Sequence, residues 1–374
     1  MKIAIICDVL GQKNNGTSIA EYNLIEHMKK AGHDVRILCC DEDKNGEDGY
    51  YIVPTCNIGK VGNYILEKNG VKIAKRDKQA IRKAIEGMDV VQVETPLSMG
   101  LIAAKEAHEL GIPISASFHC QAENITAHVG LMNCHLVNHF IYKFFYRNLY
   151  RYCSTVHYPT EFIRETFERE CGHKTNAYVI SNGVNQEFFE YVPTQKIEWN
   201  KFTIVCSGRY STEKAQHLVI RAIGKSKYRD NIKLILAGSG PKERKLKKLA
   251  KKCNVDAEFH FYTRKELLNT LHSANLYVHT AKAEIEAIAC TEAIVCGLVP
   301  VIRDSKESAT KAFALDEKNL FHSIKELTEK IDFWYDHPQT ISEYKENYKS
   351  HIKQFDQREC MKRMEQMLKD ASGK

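Results

Sequence analysis

Two glutamates, Glu284 and Glu292, bracket the start of a short helix in the stretch VHTAKAEIEAIACTEAIVCGLVPVI, Val278 to Ile302. The stretch opens as a buried strand and turns through an acidic connection at Glu284 and Glu286. It continues as a small-residue helix that stops at Gly297, before a second apolar segment from Val299 to Ile302. A helix start presents unpaired backbone N–H groups, which attract phosphate. A carboxylate on either side suits sugar hydroxyls, one set on a transferred sugar and the other on a ribose. The pattern fits a nucleotide-sugar site. Acids near a helix start are also ordinary partners of the helix dipole, and the spacing alone does not choose.

Other residues add chemistry. The strand KFTIVCS, Lys201 to Ser207, runs into Gly208 and a loop bearing Arg209 and Lys214. Two cations before a helix suit a diphosphate and can neutralise charge on a departing phosphate, although such residues are also common on surfaces. A later apolar strand, 232–237, ends in the tight turn Gly238-Ser239-Gly240-Pro241. His119 closes the strand that starts at Pro113, at the edge where parallel sheets place ligands; the alternative is a structural hydrogen-bonding histidine. The loop from Gly11 to Thr17 lacks G-x-G-x-x-G, which disfavours a dinucleotide role, while Asn15-Gly16 allows close backbone approach to a ligand. No metal is demanded, because a persuasive DxD site is missing and the acids of residues 41–48 read as a solvated loop.

The elements that must carry these groups form two successive βαβ series. The 374 residues are 43% hydrophobic and 27% charged, which suits a soluble chain with two cores. Residues 1–185 are expected to form one Rossmann-like domain, and residues 196–340 a second. A helix from about 345 to 374 is expected to pack back on the first, and the two parallel sheets are expected to face a central cleft. MKIAIICDVLG reads as a first strand and not as a signal peptide, and no apolar run is long enough to span a bilayer. The thirteen cysteines show no CxxC or Cys/His ligand spacing and read as reduced thiols of a cytoplasmic protein.

A net charge of +7 suits an anionic partner without choosing one. HLVNHFIYKFFYRNLYRY, His135 to Tyr152, taken as one helix, places His135, His139, Lys143, Arg147 and Arg151 in a drifting cationic stripe beside many aromatics, Phe144 among them. That composition suits an anionic membrane interface and equally a domain helix with one solvated face. Between Lys242 and Lys252 lie seven cations and one acid, best read as a solvated face. No motif supports nucleic-acid readout.

The whole set resembles the large family of retaining glycosyltransferases that includes sucrose synthases, phosphatidylinositol mannosyltransferases and bacterial diacylglycerol glucosyltransferases, the glycosyltransferase 4 family with the GT-B fold. The resemblance spans nearly the whole chain. It rests on Glu284 and Glu292 with Ala293, Gly297 and Pro300-Val301-Ile302, on Gly208-Arg209 with Glu213-Lys214, on the turn at Gly238 and Gly240, on His119 and on Gly16. The start is most similar to the lipid glucosyltransferases: Asn15-Gly16-Thr17-Ser18, Gly32-His33-Asp34-Val35, and Ser117-Phe118-His119 leading into Gln121 and Glu123.

The resemblance implies a hexosyltransferase that retains anomeric configuration. Glu284 and His119 would lie near the transferred sugar, Arg209 and Lys214 at the donor diphosphate, and Glu292 on the ribose. Gly16, Gly208, Gly238, Gly240, Glu286 and Ala287 would complete the donor site. The co-substrate would be UDP-glucose, with no further cofactor, and the acceptor a membrane lipid such as diacylglycerol. Lys143, Phe144, Arg147 and Arg151 would hold the chain peripherally at the inner face of the cell membrane. The chain departs from the pattern at Ala287, where glycine is usual, at Glu286, and in having one glycine where the first loop often has two. A soluble sugar, polyol or glycan acceptor, and an inactive nucleotide-sugar binding or scaffold protein, are the alternatives.

Overall fold

The computed structural model describes residues 1–8, 10–11, 16–57, 59, 74–127, 130–193 and 197–374. Asn15 of the expected glycine loop therefore lies outside the described residues. The chain divides into a unit of Met1–Asn182 with Arg358–Lys374, and a unit of Gly183–Gln357.

In the first unit β1 (Lys2–Ile6), β2 (Asp34–Cys39), β3 (Tyr50–Ile52), β4 (Val90–Val93), β5 (Ile114–Ser117), β6 (Thr155–Tyr158) and β7 (Ala177–Val179) form one sheet. Their order is β3-β2-β1-β4-β5-β6-β7, and each neighbouring pair is parallel. Ile3, Ala4, Ile5 and Ile6 are all fully buried, as expected of a parallel strand covered on both faces. Strand order reverses between β1 and β4, so Asp8 and Glu94 leave the sheet at a topological switch point. β3 follows the acidic loop of residues 41–48; it is three residues long and, among the described residues, pairs with β2 alone.

The last helix, Gln357–Ser372, adds Met361, Met364, Met367 and Leu368 to a core that contains Leu24, Ile25 and Met28. Glu365 anchors it by accepting from Lys369 at 2.7 Å while facing His27 at 3.0 Å and His33 at 3.2 Å.

The helix beginning at His135 ends at Asn148 and does not run to residue 152. Leu149 leaves helical geometry with φ −133° and ψ −68°, and a single 3-10 turn covers Tyr150–Tyr152. Tyr150 is buried and donates to the Ser117 carbonyl at 3.1 Å, which draws the chain inward at this point.

The second unit repeats the design. β8 (Phe202–Ser207), β9 (Ile232–Ala237), β10 (Asp256–His260), β11 (Leu276–His279), β13 (Val299–Arg303) and β15 (Leu320–Phe321) form a parallel sheet in the order β10-β9-β8-β11-β13-β15. Its switch point lies between β8 and β11. A separate two-strand pair joins β12 (Ala283–Glu284) to β14 (Glu307–Ser308) and carries Glu284 itself. Among the described residues no helix is long and apolar enough to cross a membrane.

Candidate active site

The carboxyl edge of the second sheet gathers most of the sequence-identified groups. Gly208 follows β8, and Gly238 and Gly240 follow β9. A Cβ on Gly238 would stand 2.2 Å from the Gly208 carbonyl oxygen, and one on Gly240 would stand 2.7 Å from the Tyr210 nitrogen. Only glycine lets these two loops touch. Their contact is closed by hydrogen bonds from Tyr210 N to Ser239 O at 2.8 Å and from Lys242 N to Tyr210 O at 3.0 Å.

The loop after Gly208 is pinned to the segment after β11. Thr280 Oγ1 donates to the Lys214 carbonyl at 2.7 Å, and Lys282 N donates to the Glu213 carbonyl at 2.7 Å. This fastening brings Lys214 Nζ onto Oε1 of Glu284, which it hydrogen-bonds. His279 Nε2 lies 3.4 Å from the same oxygen without completing a hydrogen bond. Burial alone would raise the Glu284 pKa. The Lys214 ammonium, with the His279 ring beside it, outweighs burial and brings the carboxyl down to about 2. Arg209 is exposed, and its carbonyl accepts from Gln216 Nε2 at 2.9 Å.

Ala287 caps the helix Ile288–Val295 in the left-handed conformation, φ 63° and ψ 60°. Glycine adopts that geometry freely and alanine does not. Glu286 beside it is buried. Glu292 lies inside this helix with Arg264 at 4.0 Å, and burial raises its pKa to about 7 despite the guanidinium. One carboxylate of this edge is thus held firmly ionised, and the other is poised near neutrality.

In the first unit Gly16 opens the helix Gly16–Lys30, and His119 follows β5. His119 Nε2 lies 3.2 Å from Glu94 Oε2, with both side chains buried. Glu94 Oε1 accepts from Gln92 Nε2 at 2.9 Å. Burial pushes the Glu94 carboxyl up, but the hydrogen bonds that His119 and Gln92 offer it win, and its pKa is lowered.

Lys143, Phe144 and Arg147 share an exposed helix surface, where Leu136, Phe140 and Phe144 are 74%, 71% and 50% exposed. Arg151, beyond the helix end, instead lies 4.5 Å over the Tyr152 ring and hydrogen-bonds its hydroxyl. Sequence reading did not single out Glu94, His279 or Arg264. For Glu94 and His279 a signal existed, a polar residue at the carboxyl end of a parallel strand. Arg264 follows the Thr263–Glu266 capping box, which marks a helix start and says nothing of a neighbouring glutamate.

Comparison with known proteins bears on these arrangements. The family model "Glycosyl transferases group 1" matches residues 188–354, and "Glycosyltransferase Family 4" matches residues 14–188. Alpha-monoglucosyldiacylglycerol synthase of Streptococcus pneumoniae (strain ATCC BAA-255 / R6) is 23% identical over 323 residues, 81% of this chain and 70% of that protein. The structure of Anabaena Alr3699/HepE with UDP and glucose superposes with a TM-score of 0.74 at 15% identity, covering 98% of this chain and 99% of that one. The catalytic domain of cholesterol-alpha-glucosyltransferase from Helicobacter pylori is 47% identical, covering 40% of this chain and 96% of that one, with a TM-score of 0.40. With the two models together matching residues 14–354 and two parallel-sheet units in the fold, the chain belongs to the GT-B glycosyltransferases of the group 1 and family 4 type.

Proposed function

We propose that the protein is a retaining hexosyltransferase that moves glucose from UDP-glucose to a membrane lipid such as diacylglycerol. The donor assignment is supported by the second unit's edge, where close-packed glycine loops, Arg209, Lys214, Glu284 and Glu292 combine phosphate-binding and hydroxyl-binding chemistry. It is supported also by the UDP and glucose named with the Anabaena structure. Arg209 and Lys214 neutralise the departing diphosphate. Glu284, anionic at any working pH, orients the sugar hydroxyls and faces the positive charge that grows at the anomeric carbon. Glu292 holds the ribose, and His119 hydrogen-bonds the transferred sugar. The acceptor hydroxyl attacks from the face that the diphosphate leaves, so configuration is retained. No step calls for a metal, since the two cations occupy its role.

The observation that carries the lipid acceptor is the exposed row Leu136, Phe140 and Phe144 beside Lys143 and Arg147. Apolar side chains at four-residue spacing with flanking cations suit the headgroup level of an anionic bilayer, where the protein would sit peripherally. The lipid named for the Streptococcus pneumoniae relative agrees with it. The test is transfer from radiolabelled nucleotide sugars into chloroform-extractable product, with anionic vesicles containing diacylglycerol. Labelled lipid supports the reading and names the donor. Donor turnover without labelled lipid overturns the acceptor, and no turnover overturns the enzyme.

A further inference from the structure

We propose that a buried relay of Ile180, His157, Ser117, Gln92 and Glu94 dictates which nitrogen of His119 carries the proton, and thereby makes Nδ1 of His119 the acceptor of a substrate hydroxyl. The second half of this statement rests on the transferase reading of His119; the first half does not.

The order of protons follows from one backbone carbonyl. His157 Nε2 lies 2.7 Å from the Ile180 oxygen, which can only accept, so Nε2 carries the hydrogen. Burial draws the His157 pKa down to about 4, so the ring is neutral near pH 7 and its Nδ1 is a bare lone pair. Ser117 Oγ stands 3.1 Å from that nitrogen and must donate to it. With its one hydrogen committed, the hydroxyl accepts from Gln92 Nε2 at 2.9 Å. The second hydrogen of the same amide goes to Glu94 Oε1 at 2.9 Å. A flipped Gln92 would turn its oxygen toward a carboxylate, so the amide orientation is dictated as well.

Glu94 is the end of the relay. Its ionised carboxylate has no hydrogen to give, and Oε2 faces His119 Nε2 at 3.2 Å. Nε2 of His119 is therefore the donor, as the other nitrogen's role in a histidine is set by the bond the first one makes. The rings of His119 and His157 meet edge to face with centroids 5.6 Å apart, which holds the imidazole against rotation. Nδ1 has no partner among the described residues. In the neutral ring it can receive a hydrogen bond and cannot give one. A sugar hydroxyl, which donates, fits this nitrogen; a phosphate oxygen does not. Glu94, Gln92, Ser117 and His157 are on this account positioning residues that act through His119.

The test uses the full-length protein with 15N-labelled histidine, read by long-range proton–nitrogen correlation at pH 7.5, with His119 assigned through His119→Gln. Both His119 and His157 should show the Nε2–H tautomer. Glu94→Gln should move His119 toward the Nδ1–H form, and Glu94→Asp should largely restore the original. In donor turnover, Glu94→Gln should lower kcat/KM for UDP-glucose about fivefold to a hundredfold, the scale of leaving one polar group without its partner. Among singly deoxygenated UDP-glucoses, the analogue lacking the hydroxyl that donates to Nδ1 should lose that sensitivity.

A wild-type His119 in the Nδ1–H form, or a tautomer indifferent to Glu94→Gln, overturns the relay. The expected tautomers with unchanged turnover in Glu94→Gln overturn the hydroxyl assignment. The expected tautomers in a protein that turns over no nucleotide sugar overturn the transferase reading instead.

Discussion

Lys214 donates through Nζ to Oε1 of Glu284, so the groups assigned to the donor diphosphate and to the transferred sugar are each other's partners. A diphosphate arriving at Lys214 must share that ammonium with Glu284. The pair couples donor binding to the freedom of the carboxylate, which then has its second oxygen and a loosened first one for sugar hydroxyls.

Lys214→Met tests that coupling through stability as well as rate. It leaves Glu284 buried with His279 alone, and removing one partner of a buried pair costs about 3 kcal/mol. Glu284 has its pKa depressed from 4.5 to about 2, so its stabilising contribution is complete above pH 4.5 and is lost as pH falls toward 2. The gap in urea stability between the wild type and Lys214→Met should be wide at pH 7 and narrow steadily below pH 4.5. A gap independent of pH would mean that Lys214 acts by packing. Transfer should fall about a hundredfold or more, the scale of losing a positioned electrostatic group.

Glu292 should make donor affinity depend on pH in a window near neutrality. Its pKa is raised to about 7, and ribose hydroxyls bind the anion better than the acid. Binding therefore releases a proton, and UDP affinity should climb up to about tenfold per unit as pH rises toward 7, then level off. Calorimetry in two buffers of different ionisation heat measures the proton released. Glu292→Gln should remove this component and leave only the titration of UDP itself, so equal pH slopes in both proteins would sink the assignment.

The alternation of apolar strands with helices is enough to read two parallel-sheet units, because β1, β9 and β13 are nearly continuous runs of buried apolar residues. The donor edge was legible where a backbone constraint shows as a residue type, as at Gly208, Gly238 and Gly240. Contacts between remote segments leave no such mark. Nothing in the order of residues says that Glu94 meets His119, or that Arg264 meets Glu292. The stripe from His135 to Arg151 was read one turn too far, since Leu149 and Tyr150 continue the helical pattern of apolar residues while serving the core.

Ala287 gives a stability prediction in which three terms nearly cancel. Its left-handed backbone costs an alanine about 1–2 kcal/mol, which glycine would relieve. Against this stand about 0.4–1 kcal/mol of added unfolded-chain entropy and about 0.8 kcal/mol for the lost buried methyl. Ala287→Gly should therefore leave the urea midpoint close to that of the wild type. A β-branched side chain tolerates this backbone far less, so Ala287→Val should lose about 2–3 kcal/mol. Equal loss from both substitutions would show that packing, not backbone geometry, rules the position.

The exposed helix face separates its two forces by salt. Fully burying a Phe or Leu side chain is worth about 1.5–3 kcal/mol, and Leu136, Phe140 and Phe144 would bury only the exposed part, roughly 1–2 kcal/mol each. A cation near an anionic surface adds about 1 kcal/mol. Phe140→Ser with Phe144→Ser should then weaken binding to anionic vesicles about 30-fold or more, with little dependence on salt. Lys143→Gln with Arg147→Gln should weaken it by about 30-fold at low salt, and the deficit should fade toward 1 M salt, where the screening length shrinks to about 3 Å. Arg151→Gln should have the smaller effect, because its guanidinium is committed to Tyr152 beyond the helix end. Co-sedimentation of the four proteins across a salt series decides the matter. If the phenylalanine pair binds as the wild type does, the face is a solvated surface and the lipid acceptor loses its main structural support.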